Sequence, residues 1–166
     1  MNQRFFHFFL CVLMLFVVGC GGPKKPDGMP ALHKTTLTLT QDGAPLAGAS
    51  VSLVPVTGAM LWPAGGITDA KGTVNIRTMT QFDGAPEGSY KITVIKTEEE
   101  KTGEVVKMSE VDGGATVPVV KTYNVVDKKY QSPQNSDLTL DVKSGKNVKT
   151  FEVGKAVREL IPVNKN

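Results

Sequence analysis

Cysteine is missing from most of this chain. The 166-residue sequence has two, Cys11 and Cys20, and nothing after residue 20 carries a thiol. No disulfide and no thiolate metal site can form downstream, so a body built from that part must be held by its core alone. Histidine is nearly as scarce, with only His7 and His33. Beyond His33 neither a Ser–His–Asp nor a Cys–His arrangement can be assembled. Zinc would lack its nitrogen and sulfur donors there, and the donor inventory calls for no cofactor. An excess of one charge is also absent. The formal charge is +3, and removing residues 1–19 takes away Arg4 and no acid, leaving 18 basic and 16 acidic side chains. That balance, with the basic residues scattered, argues against nucleic acid as a partner. No stretch sustains the i, i+3, i+4 spacing of an amphipathic helix.

The first thirty residues carry the strongest pattern. Met1-Asn2-Gln3-Arg4 is a short, basic start, and Phe8 to Val18 is an unbroken apolar run of eleven. A membrane-spanning helix needs about 20 apolar residues, so this run fits the core of a signal peptide instead. It ends in Val17-Val18-Gly19-Cys20. This ending resembles the lipobox of bacterial lipoproteins: a branched apolar residue, a small or apolar one, Gly or Ala, then Cys. The resemblance implies cleavage between Gly19 and Cys20, a diacylglyceryl group on the Cys20 thiol and an acyl chain such as palmitate on the new amine. The membrane-lipid partner is then held through acylated Cys20, since two or more chains anchor stably where one does not. An ordinary secretory signal that happens to contain Cys is the alternative. Gly21 stands where Asp would signal inner-membrane retention in some bacteria, so the expected location is the cell membrane or outer membrane, on the exported side. Residues 21–34 hold three prolines and three glycines and read as a tether. As a flexible coil it would average roughly 20 Å in length.

From Thr35 the pattern becomes period-2 alternation. Leu37 and Leu39, Val51 and Leu53, Val74 and Ile76, then Tyr90, Ile92 and Val94 each place apolar side chains on one face. Leu138, Leu140 and Val142 repeat the pattern, and Phe151 and Val153 close it. Asp42-Gly43, Lys71-Gly72, Glu87-Gly88 and Ser144-Gly145 fall between these rows as turns. Short half-buried strands joined by Gly-rich turns predict an all-β fold, an antiparallel β-sandwich of about seven strands. The stretch from Glu98 to Thr122 reads as a charged excursion, with a hairpin carrying Val105 and Val106 as one form it could take.

Three segments add a second resemblance. Asp42-Gly43-Ala44-Pro45-Leu46-Ala47-Gly48-Ala49-Ser50-Val51 is similar to the opening signature of carboxypeptidase regulatory-like domains. Thr68-Asp69-Ala70-Lys71-Gly72 resembles that family's second segment, and Pro86-Glu87-Gly88-Ser89-Tyr90-Lys91-Ile92-Thr93-Val94 its third. The resemblance covers about residues 35–97 and implies a prealbumin-like (transthyretin-like) sandwich. Lys129-Tyr130, Pro133 and Leu138 to Val142 also look like the end of small lipoproteins that carry this sandwich, with a final closing hairpin. The expected organisation is a signal peptide at 1–19, a lipidated tether at 20–34, the sandwich at 35–153 and a tail at 154–166.

Chemistry is sparse. Asp42, Asp69 and Asp83 each lie near a glycine and could be imagined as calcium ligands. Calcium wants six to eight oxygens, and no EF-hand-like run exists, so they read as turn residues. The transthyretin-like hydrolases depend on histidines, an arginine and a C-terminal Tyr-Arg-Gly-Ser. This chain ends Pro162-Val163-Asn164-Lys165-Asn166 and lacks them. Met60-Leu61-Trp62-Pro63 is the notable loop: Trp62 could cap the core, or stack on a sugar or partner as a ligand contact. The expectation is a non-catalytic envelope module binding a protein, with a glycan-binding module using Trp62 as the alternative. An enzyme would need a pair such as Asp69 and Asp83 to converge.

Overall fold

A computed structural model describes residues 23–107 and 116–162. Gly19 and Cys20, and with them the cleavage and lipidation sites, lie outside the described residues.

The alternating rows form strands. The first are β1 (Leu32–His33), β2 (Thr35–Gln41), β3 (Ala44–Pro45) and β4 (Ser50–Pro55). Next come β5 (Ala64–Ile67), β6 (Thr73–Asn75), β7 (Arg77–Thr78), β8 (Phe82–Asp83) and β9 (Ala85–Pro86). Then follow β10 (Gly88–Ile95), β11 (Thr97–Lys107) and β12 (Thr116–Asn124), and finally β13 (Thr139–Val142), β14 (Asn147–Glu152) and β15 (Glu159–Leu160). A single 3-10 turn, Lys128–Gln131, is the one helical element among the described residues. Its first backbone donors are met by Asp127, whose carboxylate accepts from the Lys129 N–H at 2.8 Å.

The protein is an all-β sandwich. One sheet runs β13-β10-β4-β5-β7-β8, and the other is β14-β2-β3, with β6 also on β2. Eight strands contribute to the buried core cluster: β2, β4, β5, β6, β9, β10, β13 and β14. Leu37 and Leu39 of β2 meet Val51 and Leu53 of β4 and Ile92 and Val94 of β10 in one buried cluster. These are the alternate residues that the period-2 rows put on one face.

Turn chemistry sets the register. Asp42 and Gly43 both adopt positive φ, 51° and 74°, which matches the twist of the two strands joined there. Gly72 (φ 71°) sits where a Cβ would collide with the Leu39 carbonyl. Its own carbonyl accepts from Leu39 N–H at 2.8 Å, so glycine lets the 69–72 turn dock on β2.

The structure departs from expectation in three places. Strand β14 does not form a closing hairpin with β13. It crosses to the other sheet and pairs in parallel with β2, Phe151 opposite Leu39, so the sandwich is not purely antiparallel. The crossing places Phe151 and Val153 in the common core between the sheets. Leu32 and His33, expected within the tether, instead form β1 and pair with Pro86 and Ala85. The C-terminal tail is also partly strand: Glu159 and Leu160 extend β12. The 98–122 excursion is a hairpin, β11 on β12, with a register shift between Lys101 and Val105. With β15 it forms a three-stranded sheet of its own.

Candidate functional site

The outer face of the six-stranded sheet carries an open groove of about 410 Å³. That volume falls within the usual range for small-ligand pockets, roughly 300–1,000 Å³. Its floor is the β4–β5–β7 ladder, where Ser52, Gly65 and Arg77 lie in one cross-strand row and Ser50 faces Ile67 in the next. Gly65 is required by close strand approach: a Cβ there would run into the Val51 carbonyl of β4. The same absence of a side chain leaves the middle of the floor bare. Met60, Pro63, Ile67 and Met79 supply apolar walls. Ile67 is 70% exposed, and Met60 and Met79 are also exposed.

Two loops build the walls. The loop after β4 carries Met60 to Pro63, and the turn between β7 and β8 carries Met79 and Thr80. Met79 N–H donates to the Pro63 carbonyl at 2.7 Å, tying the loops together. Met79 and Thr80 both take positive φ, 53° and 61°. Neither is glycine, and Thr is β-branched, so this turn stores backbone strain at the groove's rim. Arg77 clamps its base, donating from Nε to Asp83 Oδ1 at 3.0 Å and from Nη2 to the Gln81 carbonyl at 3.1 Å.

The groove can shelter an apolar side chain or a flat group, with the hydroxyls of Ser50, Ser52 and Thr80 at hand for hydrogen bonds. Its lining contains no His, Cys, Lys, Asp or Glu. The serines there therefore have no neighbouring base to activate them.

The residues singled out by sequence fall elsewhere. Trp62 is half-buried; it is neither in the buried core cluster nor in the groove lining, although Met60 and Pro63 beside it are. Asp42 Oδ2 accepts from Ala156 N–H at 2.8 Å and pins the chain after β14. Asp69 Oδ1 accepts from Lys71 and Thr73 N–H at 2.9 and 2.8 Å, closing its own turn. Asp83 holds Arg77. All three serve local geometry, and neither Asp69 nor Asp83 lines the groove. Among the described residues no group of three or more His, Cys, Asp or Glu could hold a metal ion. Sequence reasoning missed Ile67 and Met79 as groove residues. The Met79-Thr80 turn gave no signal, because it lacks the Asn or Gly that usually marks such a turn.

Perturbed ionisation lies away from the groove. Burial raises the Tyr90 phenol above its ordinary value, and its hydroxyl donates to the Pro86 carbonyl at 2.9 Å. On the β11–β12 hairpin, Glu100 is held below the usual carboxylate value by hydrogen bonding to Tyr123 and then by Arg158. Arg158 is 2.6 Å from Glu100 and stacks over the Tyr123 ring at 4.0 Å.

No protein-family model matches the chain, and no curated protein matches it. Among solved structures, a 9R-lipoxygenase from Cyanothece PCC8801 aligns at 17% identity with a TM-score of 0.36. The alignment covers 79% of this chain and 18% of the lipoxygenase, so the chain spans under a fifth of that enzyme, and the likeness is too low to carry argument.

Proposed function

We propose that this chain is a lipid-anchored, non-catalytic binding module of a bacterial cell envelope. It would carry a prealbumin-like sandwich of the carboxypeptidase regulatory-like kind on a short tether. The observation that carries this reading is Val17-Val18-Gly19-Cys20 placed directly after an apolar run of eleven. Acyl chains on Cys20 would anchor the chain at about 0.8 kcal/mol per buried CH₂. The body begins at Leu32, which leaves residues 21–31 to span the gap to the membrane.

The partner that suits the surface is another envelope protein. Exposed Met60, Met79 and Ile67 offer adaptable apolar contact, and methionine thioethers repack against varied side chains. The groove lining holds no aromatic ring for a sugar to stack on.

Radiolabelled palmitate in the producing cell tests the anchor. Wild-type chain should take up label, and Cys20→Ser should lose it and remain as precursor or appear in the soluble fraction. Label retained on Cys20→Ser would overturn the anchor. Capture of one stoichiometric protein from detergent extracts, lost in Ile67→Lys, would support the partner; polysaccharide quenching of Trp62 fluorescence would favour a glycan instead.

A further inference from the structure

His33 stands where the tether joins the folded body, and three chain segments meet on it. Its backbone pairs with Ala85 in β9. Its carbonyl accepts from the Thr35 hydroxyl at 2.9 Å. Gly84 passes so close that a Cβ there would strike the His33 backbone. The imidazole is only 15% exposed. Its Nδ1 accepts from the Gly145 N–H at 3.1 Å, in the turn between β13 and β14. Its Nε2 lies 3.2 Å from Glu87 Oε1, in the segment between β9 and β10.

These two contacts differ in whether they survive a proton on Nδ1. A ring nitrogen that accepts a backbone N–H carries no proton, so the Gly145 contact fixes neutral His33 as the Nε2–H tautomer. Glu87 faces that Nε2–H, a contact the ring keeps whether or not Nδ1 carries a proton. Protonating Nδ1 would set one N–H against another and leave the Gly145 donor without an acceptor. The charged groups on the segments packed around His33 are Glu87, the exposed lysines Lys34, Lys143 and Lys146, and Asp83 of β8, whose carboxylate is paired with Arg77.

We infer that His33 is an acid-sensitive latch: neutral, it holds the β13–β14 turn against the first strand of the body, and protonated, it releases Gly145 and keeps Glu87. The turn leads straight into β14. Asn147 N–H donates to the Lys34 carbonyl at 2.8 Å, and the Asn147 side chain bridges back to Lys143 at 3.0 and 2.9 Å. Acid therefore frees the Gly145 tip of the turn, while the Asn147 bonds still hold the start of β14 and the core stays closed. The inference does not depend on lipidation.

Imidazole and amide ¹⁵N NMR on the full chain test it, with His33 identified by its loss in His33→Gln. Near pH 8 the ring should show the Nε2–H tautomer and Gly145 N–H should exchange slowly. Once acid has protonated the ring, as its own ¹⁵N shifts report, Gly145 exchange corrected for its intrinsic pH dependence should rise about three- to tenfold, the net worth of one hydrogen bond. Tyr90 and Ile92 amides should not change. In His33→Gln the corrected Gly145 rate should be the same near pH 8 and in acid. An Nδ1–H tautomer near pH 8, or Gly145 protection unchanged across the wild-type titration, would overturn the latch, and the wild-type measurement decides even if the variant fails to fold.

Discussion

Strands β10 and β11 are separated by one residue, Lys96, yet they are held in different ways. On β10, Tyr90, Ile92 and Val94 are buried beneath the facing sheet, and the strand pairs with β4 on one side and β13 on the other. On β11 every residue is exposed except half-buried Thr102, and among the described residues it pairs with β12 alone. Fully burying a Val or Ile contributes roughly 1.5–3 kcal/mol, whereas an exposed cross-strand pair contributes roughly 0.2–1. The sandwich is therefore stabilised by its interior and the β11–β12–β15 arm by its surface pairs. The arm should open locally while the body stays folded.

The sharpest way to break the contrast is to empty the body's core. Ile92 is 0% exposed at the centre of β10. Ile92→Ala should cost about 2–5 kcal/mol in urea denaturation, through lost transfer energy and the cavity left behind. A loss under about 1 kcal/mol would mean the two sheets close over the gap or pack less tightly than the structure shows.

Thr68→Val sits next in size. The Thr68 hydroxyl is buried, accepts from Ala49 N–H at 2.8 Å and donates to the Leu46 carbonyl at 2.6 Å. Valine keeps the shape and strands both backbone groups, so about 1–3 kcal/mol should be lost in the same denaturation series. An unchanged midpoint would show that water reaches those groups.

These two residues mark what the sequence makes readable. Period-2 rows such as Leu37/Leu39 and Tyr90/Ile92/Val94 name the buried face, and Asp42-Gly43 and Thr68-Asp69 name turns, because each signal is local. Which strand pairs with which is not local. Nothing in Asn147–Glu152 distinguishes a hairpin with β13 from a parallel pairing with β2, because Phe151 and Val153 name a buried face and not a neighbour. Glu159–Leu160 is too short to show alternation and is strand only because β12 offers an edge. The groove gathers Met60, Ile67 and Met79 from three separate segments, so only the Met60–Pro63 part drew notice. Cys20 is the opposite case, carried wholly by its sequence neighbours.

The smallest expected effect separates the arm from the body most cleanly. Glu100 is held below its ordinary value of 4.5 by hydrogen bonding to Tyr123, then by the hydrogen bond and charge of Arg158. A carboxylate whose pKa is lowered by folding adds order above its unfolded value and loses that contribution as pH falls through the lowered one. Acid should therefore loosen the Glu100–Tyr123–Arg158 cluster once the solution drops below the ordinary glutamate range. Glu100 and Arg158 are exposed and Tyr123 is half-buried, so the effect is modest and weakens with added salt. Hydrogen exchange by NMR reads it: arm amides at Glu98–Lys101 and Thr122–Asn124 should lose protection in acid while β10 amides keep theirs. Glu100→Gln should weaken arm protection at neutral pH and flatten its acid dependence, with β10 again unchanged. If β10 and β11 lost protection together at one pH, arm and sandwich would be a single cooperative unit, and the contrast between buried and surface-held strands would have no thermodynamic meaning.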